Sequence, residues 1–376
     1  MTGQGRRRRL VLWCVAIVAA VGLLGGAAVV VDGYLERRYP ISTADLFGPS
    51  GPASAAGGGT PTASPTPRPG ADLKGPLDIL LVGIDTRESV PDWQPNADAI
   101  MILRVDADLK SGHLVALPRD LLVDIPAFPA SGYRGGRNKI NAAMVYGSRQ
   151  RDGGTPDVAR GFQLLARTVS DYTGIDEFDA GAVLNFRGFR NLVDAVGGVD
   201  LHIDQRVASI HLRPDGKLRT ASRSGGYTGP QMVYEPGLRH LNGWQALDYA
   251  RQRYDLPNGA YDRQRHHQQL IKALLRGVLA SSMATNPLAV GQVLTAIGDA
   301  LVFDGRGQRP IDFAFALSDL RPENLTLVGL PGSGVGTGSG YRGEQLDEIG
   351  RRYLAELRAG REDEFVAANP SLVLQG

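Results

Sequence analysis

The chain has 376 residues, a formal net charge of +2 and a single cysteine, Cys14. Four positive charges stand together at Arg6, Arg7, Arg8 and Arg9, so taking four from +2 leaves −2 for everything that follows. A remainder of that sign excludes a generally basic nucleic-acid-binding domain. With Cys14 in the N-terminal apolar run, no disulfide can form within the rest of the chain.

Residues 10–31 contain no charged side chain. At about 1.5 Å per helical residue the run is long enough to cross the ~30 Å hydrocarbon core of a bilayer. The arginine block before it marks residues 1–9 as a cytoplasmic tail, which puts the rest of the chain outside the cell. A cleaved signal peptide is the competing reading, with Ala27 and Ala28 as small residues near its end. Asp32, Glu36 and Arg37 follow without a clear cleavage site, so a retained signal-anchor is the expectation. Residues 32–76 read as a flexible extracellular linker: from 42 onward they are rich in Gly, Pro, Ser, Thr and Ala, with almost no large apolar residue after Phe47. Residues 77–360 are then one large domain and 361–376 a short C-terminal tail.

Within the domain, 77–84 (LDILLVGI) is a short apolar run typical of a buried strand. Residues 99–105 and 113–117 follow as strands, joined through a turn at 106–112. Helical spacing covers 158–172, with Thr155-Pro156 as a start signal. Residues 178–184 alternate like a strand, 186–196 read as a helix stopped by Gly197-Gly198, and 199–203 as another strand. Residues 206–235 show no period and are expected to be a loop excursion or lid. Helices are expected at 244–253, 262–279, 287–301 and 344–357, and a late strand at 325–330. Asn242 and Gln245 have the spacing of a capping box for the first of these helices. The interleaving predicts an α/β fold with a mixed central β-sheet flanked by helices. Leu270, Ile271, Leu274, Leu275, Val278 and Leu279 form one apolar stripe, either core or the wall of a channel for a lipid tail.

The chemistry concentrates at two places. Asp85 closes the first strand and Asp98 opens the second, so both carboxylates can share one rim of the sheet. Hard oxygen ligands of this kind suit Mg²⁺, which completes its shell with water and substrate phosphate oxygens. Arg87 and Arg119 can add phosphate contacts there. Further on, Arg251, Arg253, Arg263 and Arg265 surround the break at Pro257, Asn258 and Gly259. Arginine keeps its charge and offers a planar fork of donors that matches phosphate oxygens. The alternative is a solvated basic surface. Arg251 and Arg253 converge only if the helix that carries them frays or ends near Tyr254, which the break at 257–259 favours. No Ser-His-Asp pattern, zinc spacing or glycine-rich nucleotide loop is present, and the six histidines form no metal signature.

LLVGIDTR, an Asp before the next strand, VALPRD, KINAA, LNFRGFRNLVDAVGGVDL, GLRHLNGWQALDYARQRYD and DRQR, in this order from 77 to 279, resemble the LytR-CpsA-Psr family. The resemblance implies a membrane-anchored enzyme of the bacterial envelope with an extracellular catalytic domain. It would move a glycopolymer from a polyprenyl pyrophosphate carrier to a peptidoglycan hydroxyl, with the carrier's tail in an apolar pocket. It also implies that Asp85 and Asp98 hold Mg²⁺ and that Arg119, Arg251, Arg253 and Arg263 grip the pyrophosphate, with Arg87 matching the end of the first motif. Three positions depart from the family pattern: Asn96 stands where an arginine is usual, His266 and His267 where Arg-Gln is common, and Ala260 where an acidic residue is frequent, with Asp262 nearby. Two other functions fit the same residues. One is a polyprenyl pyrophosphate hydrolase, and the other a non-enzymatic polyprenyl-phosphate-binding regulator, which would have no need of both aspartates.

Overall fold

The computed structural model describes residues 42–43, 45–48, 70–86, 92–222, 225–280 and 296–374. The expected anchor at 10–31 lies outside them. No helix among the described residues is long and apolar enough to cross a membrane.

Seven strands form the central sheet: β1 (Ser42–Thr43), β2 (Leu77–Asp85), β3 (Asn96–Val105), β4 (Gly112–Leu117), β5 (Ala180–Asn185), β6 (Leu301–Asp304) and β7 (Leu325–Gly329). Their order is β1-β6-β5-β2-β3-β4-β7. β2 pairs antiparallel with β3 and parallel with β5, so the sheet is mixed. The reason for its central place is visible in β2, where Leu77 to Val82 are all buried. Ile79 and Leu81 enter one core, while Leu80, Val82 and Ile84 enter the other. A strand apolar on both faces must be covered on both faces.

Helices supply the cover. On one side lie α1 (Ala142–Ser148), α2 (Val158–Thr173), α7 (Glu348–Arg358) and α8 (Glu362–Ala368), contributing Met144, Phe162, Tyr353 and Phe365. On the other lie α3 (Phe186–Ala195), α4 (Gly243–Arg251) and α5 (Ala260–Ala280), contributing Leu192, Tyr249 and Leu274. A further short helix, α6 (Pro310–Ala316), follows β6. Local signals set the helix ends. Asp157, two residues past the expected Thr155-Pro156 signal, caps α2 by accepting from the Arg160 amide. Asn185 caps α3 in the same way. Asn242 and Gln245 close the expected capping box on α4.

Several expectations need correction. Residues 344–346, read as the start of a helix, lie in a strand, Gly343–Leu346, paired with Gly332–Val335, and the helix begins at Glu348. The expected helix 287–301 falls mostly on residues outside the described set. Its last residue, Leu301, opens β6, where Leu301 and Phe303 alternate into the core. The linker boundary also shifts: Leu46 is fully buried, and Ser42–Thr43 pair with β6. Residues 361–376, read as a tail, carry α8, whose Glu362 accepts from Arg104 of β3 at 3.3 Å. The excursion 206–235 is held by short ladders, Val207–Ala208 against Val233–Tyr234 and Thr220–Ala221 against Tyr227–Thr228.

Candidate active site

A β-bulge builds the carboxylate rim. Gly83 pairs with Ala99 and Ile84 with Ala97, which leaves Asp98 as the extra residue on β3, while Asp85 pairs with Asn96 at the next rung. A bulge re-aims the side chain it carries. Asp98 accepts a hydrogen bond from Arg119 Nη1, and the Asp85 charge acts on the same guanidinium. The structure thus brings Asp85, Asp98 and Arg119 together as the sequence predicts. Arg87 lies outside the described residues.

The arginine cluster depends on where α4 stops. Gln252 is extended (φ −70, ψ 136), so Arg253 leaves the helix direction immediately after Arg251. Arg251 then lies over the Phe186 ring at 4.8 Å. Arg253 lies over the Tyr254 ring at the same distance and donates to its hydroxyl at 2.8 Å. Arg263 comes from the first turn of α5 and meets them across the break. Arg119, Arg251, Arg253 and Arg263 all line one cavity together with Asp98. Arg265 does not: it is tied to Asp262 at 2.6 Å and Asp204 at 2.9 Å.

Arg263 is the exceptional member. It is only 6% exposed, and its Nε and Nη2 are buried without a hydrogen-bond partner. Burial first, then the Arg119 and Arg253 charges, pushes its pKa down to about 10, so it remains a cation at neutral pH. Arg119 is lowered for the same leading reason, with Asp120 opposing the shift. Buried cationic donors without partners are costly unless an anion completes them.

Apart from the arginines and Asp98 the cavity, of about 340 Å³, has largely apolar walls. Met101 rises from the sheet, Phe186 and Phe189 from α3, Leu270 and Ile271 from α5, and Ile210 comes from the excursion. The apolar stripe of α5 therefore divides. Leu270, Ile271, Leu274 and Leu275 all belong to the core, and of them Leu270 and Ile271 also line the cavity. The side chains of Val278 and Leu279 lie outside the described set.

The two histidines also divide. His266 is fully buried, with its ring 4.4 Å from that of Tyr249. His267 lines the cavity, and its Nε2–H donates to the Ala250 carbonyl at 2.8 Å. Burial, reinforced by Arg263, lowers His267 to about 3, so it is a neutral group in the cavity. Asp120, 3.7 Å from Arg119 Nε and 3.4 Å from Lys139 Nζ, escaped the sequence reading although it follows Arg119 directly. Ile210 and His211 escaped it too, because an aperiodic excursion gives no clue to which of its residues turn inward.

Among the described residues no group of three or more His, Cys, Asp or Glu is placed to hold a metal ion. Two carboxylates on one rim beside the arginine cluster are nevertheless a donor set that fits Mg²⁺, which takes one or two protein carboxylates and leaves the rest of its shell to substrate and water.

Residues 57–348 match the model of the LytR_cpsA_psr family. The chain belongs to this family. Biofilm regulatory protein A of Streptococcus mutans is 33% identical over 214 residues, covering 56% of this chain and 46% of that protein. Cell wall biosynthesis protein LcpA of Corynebacterium glutamicum is 30% identical over 306 residues, covering 73% and 53%. The chain thus spans about half the length of these two relatives. The polyisoprenyl-teichoic acid–peptidoglycan teichoic acid transferase TagU of Enterococcus faecalis is 29% identical over 266 residues, covering 70% and 74%. Among solved structures, protein gbs0355 from Streptococcus agalactiae aligns with a TM-score of 0.59 at 24% identity, covering 77% of this chain and 87% of that one. TagT bound to LIIa-WTA aligns with a TM-score of 0.52 at 20% identity, covering 77% and 90%. At those identities the likeness concerns the fold.

Proposed function

We propose that the domain is a glycopolymer–peptidoglycan phosphotransferase that takes its glycopolymer from a polyprenyl pyrophosphate carrier. The carrying observation is Arg263, a buried cation with two unpartnered nitrogens in the lining of a cavity that joins arginines to apolar walls. An anionic head joined to an apolar tail matches that junction. The name of the Enterococcus faecalis relative describes a polyisoprenyl-linked teichoic acid transferred to peptidoglycan, which supports the same chemistry here.

In this reading Arg119, Arg251, Arg253 and Arg263 orient the pyrophosphate and stabilise negative charge that develops on its oxygens. Asp85 and Asp98 would hold Mg²⁺, which when bound supplies further neutralisation of the diphosphate. Phe189, Leu270 and Ile271 exclude water from the tail side. An acceptor hydroxyl oxygen attacks the phosphorus that carries the glycan, and the bond from that phosphorus to the bridging oxygen breaks. A phosphodiester forms and prenyl phosphate leaves, with the hydroxyl proton passing to the leaving group or to solvent. Residues 10–31 would anchor the chain in the membrane with the domain outside the cell and the peptidoglycan within reach.

The test incubates the protein with a prenyl-pyrophosphate-linked glycan, Mg²⁺ and peptidoglycan. Glycan is expected on the peptidoglycan in the wild type and not in Asp85→Asn or Asp98→Asn. Prenyl phosphate released equally without acceptor would make the protein a hydrolase, and binding without turnover would make it a carrier-binding protein.

A further inference from the structure

Beside the arginine cluster, and outside the cavity, stands a second group of side chains that the pyrophosphate reading does not use. Glu344 Oε1 accepts from the Tyr341 hydroxyl at 2.7 Å and Oε2 from the Tyr261 hydroxyl at 3.3 Å. Lys139 Nζ lies 4.8 Å from the Tyr341 ring centroid and 3.4 Å from Asp120 Oδ1. None of these five side chains lines the cavity.

The group is fixed to the active site by backbone and by charge. The Glu344 amide donates to the Asp120 carbonyl at 2.7 Å, next to Arg119. Gly343 makes this approach possible: its φ is +149, and a Cβ there would sit 2.6 Å from the Asp120 carbonyl oxygen. Tyr261 precedes Arg263 by two residues on α5, and the Arg253 charge acts on the Tyr341 hydroxyl. One side of the arginine cluster therefore opens to an apolar cavity and another to a polar, aromatic ledge.

Tyr341 is 38% exposed, although its hydroxyl is anchored. An exposed phenol ring offers an apolar plate for the C–H face of a sugar. A carboxylate has about four lone-pair sites, so Glu344 keeps capacity for sugar hydroxyls after binding two tyrosines. Lys139 Nζ lies over one face of the ring and adds donors there, which leaves the other face for a sugar. A plain ion pair would not need the ring.

We propose that Tyr341, Glu344 and Lys139 form a subsite for one sugar ring of a glycan, placed directly beside the pyrophosphate-binding arginines. The proposal deepens the transferase reading and rests on it for the ligand class. The ring can come from the peptidoglycan acceptor or from the first sugar of the donor.

The experiment uses the full-length protein in detergent with three probes: a peptidoglycan oligosaccharide of alternating N-acetylglucosamine and N-acetylmuramic acid, bare prenyl pyrophosphate, and prenyl pyrophosphate bearing one sugar. Tyr341→Ala removes the plate, and Glu344→Gln keeps shape while losing charge. Both variants are expected to bind bare prenyl pyrophosphate as the wild type does. For an acceptor subsite, oligosaccharide affinity in saturation-transfer NMR falls about tenfold, which corresponds to roughly 1.4 kcal/mol. For a donor subsite, only the extra affinity conferred by the sugar on prenyl pyrophosphate is lost. Unchanged affinities for both sugar-bearing probes, or a parallel loss for bare prenyl pyrophosphate, overturn the subsite. A wild type that binds the oligosaccharide through Tyr341 but never transfers glycan sinks the transferase reading and leaves the subsite standing.

Discussion

Arg263 carries a charge into a place where two of its nitrogens are buried without a protein acceptor. Charge-assisted hydrogen bonds are worth roughly 1.5–3 kcal/mol each, so a pyrophosphate that accepts from these nitrogens should depend on the guanidinium fork. Arg263→Lys keeps the charge and loses the fork. Its affinity for prenyl pyrophosphate should fall by about ten- to a hundredfold in a binding titration. Arg265→Lys, directed at Asp262 and Asp204, should bind as the wild type does, and equal losses in the two variants would return the cluster to a basic surface. The cluster was legible in the sequence because arginine type and the Pro257–Gly259 break are both local signals. Asp120 and Glu344 were not, because the contacts that draw them together, Lys139 to Asp120 and the Glu344 amide to the Asp120 carbonyl, join segments far apart in the sequence. The histidines give a second expectation at this scale. Burial, aided by the Arg265 charge, pushes His266 from 6.5 down to about 4. Between those values the unfolded chain binds a proton that the folded chain refuses, so stability is intact above pH 6.5 and falls as the pH drops towards 4. His267 acts in the same direction. Chemical denaturation across that range should show His266→Gln losing less stability than the wild type, by on the order of 3 kcal/mol. Identical pH slopes would mean that His266 is not buried neutral.

Among the elements, the excursion over the cavity has the least regular structure and the most specific tether. Asp248 of α4 accepts from Ser209 Oγ at 2.9 Å, from Gln252 Nε2 at 2.8 Å and from Tyr234 OH at 2.8 Å. Gln252 in turn accepts from the Ile210 amide at 3.1 Å. The result fixes Ile210 and His211 as cavity wall. Burial raises the Asp248 pKa while its three donors oppose the shift, so the carboxylate is held in place by those bonds. Asp248→Ala would strand buried donors at about 1–3 kcal/mol each. The variant should melt lower, show faster hydrogen exchange in 207–212 and bind prenyl pyrophosphate more weakly. Lower melting with unchanged exchange and affinity would show that the tether does not shape the cavity. Sequence periodicity located α2, α3, α4 and α5 because each has a long apolar face. It was silent here, since a strap held by side-chain hydrogen bonds has no period to read.

At the scale of the molecule, the sheet separates the site from the C-terminal support. The cavity lies on the α3–α4–α5 side, whereas α8 packs on the other. Strand β2 could be read as buried from its apolar run. α8 was missed because a two-turn helix beginning with Glu362, Asp363 and Glu364 looks like a solvated tail. Its charges have partners in the sheet: Glu362 accepts from Arg104, and Asp363 meets the buried His113 at 2.8 Å. Phe365 and Val366 are each 9% exposed and Leu372 1%. Burial of such side chains contributes about 1.5–3 kcal/mol each, so the segment supplies a sum comparable with the 5–15 kcal/mol net stability of a typical domain. Ending the chain after Arg361 should therefore yield protein that fails to fold or melts far below the full chain. Phe365→Ala is the milder arm, expected to lose roughly 3 kcal/mol and lower the melting temperature by several degrees. Because Phe365 faces away from the cavity, the folded Phe365→Ala protein should keep its affinity for prenyl pyrophosphate. A truncated chain that melts like the full one would make residues 362–374 a dispensable tail. A stable Phe365→Ala variant with weakened ligand binding would mean that the two sides of the sheet are coupled.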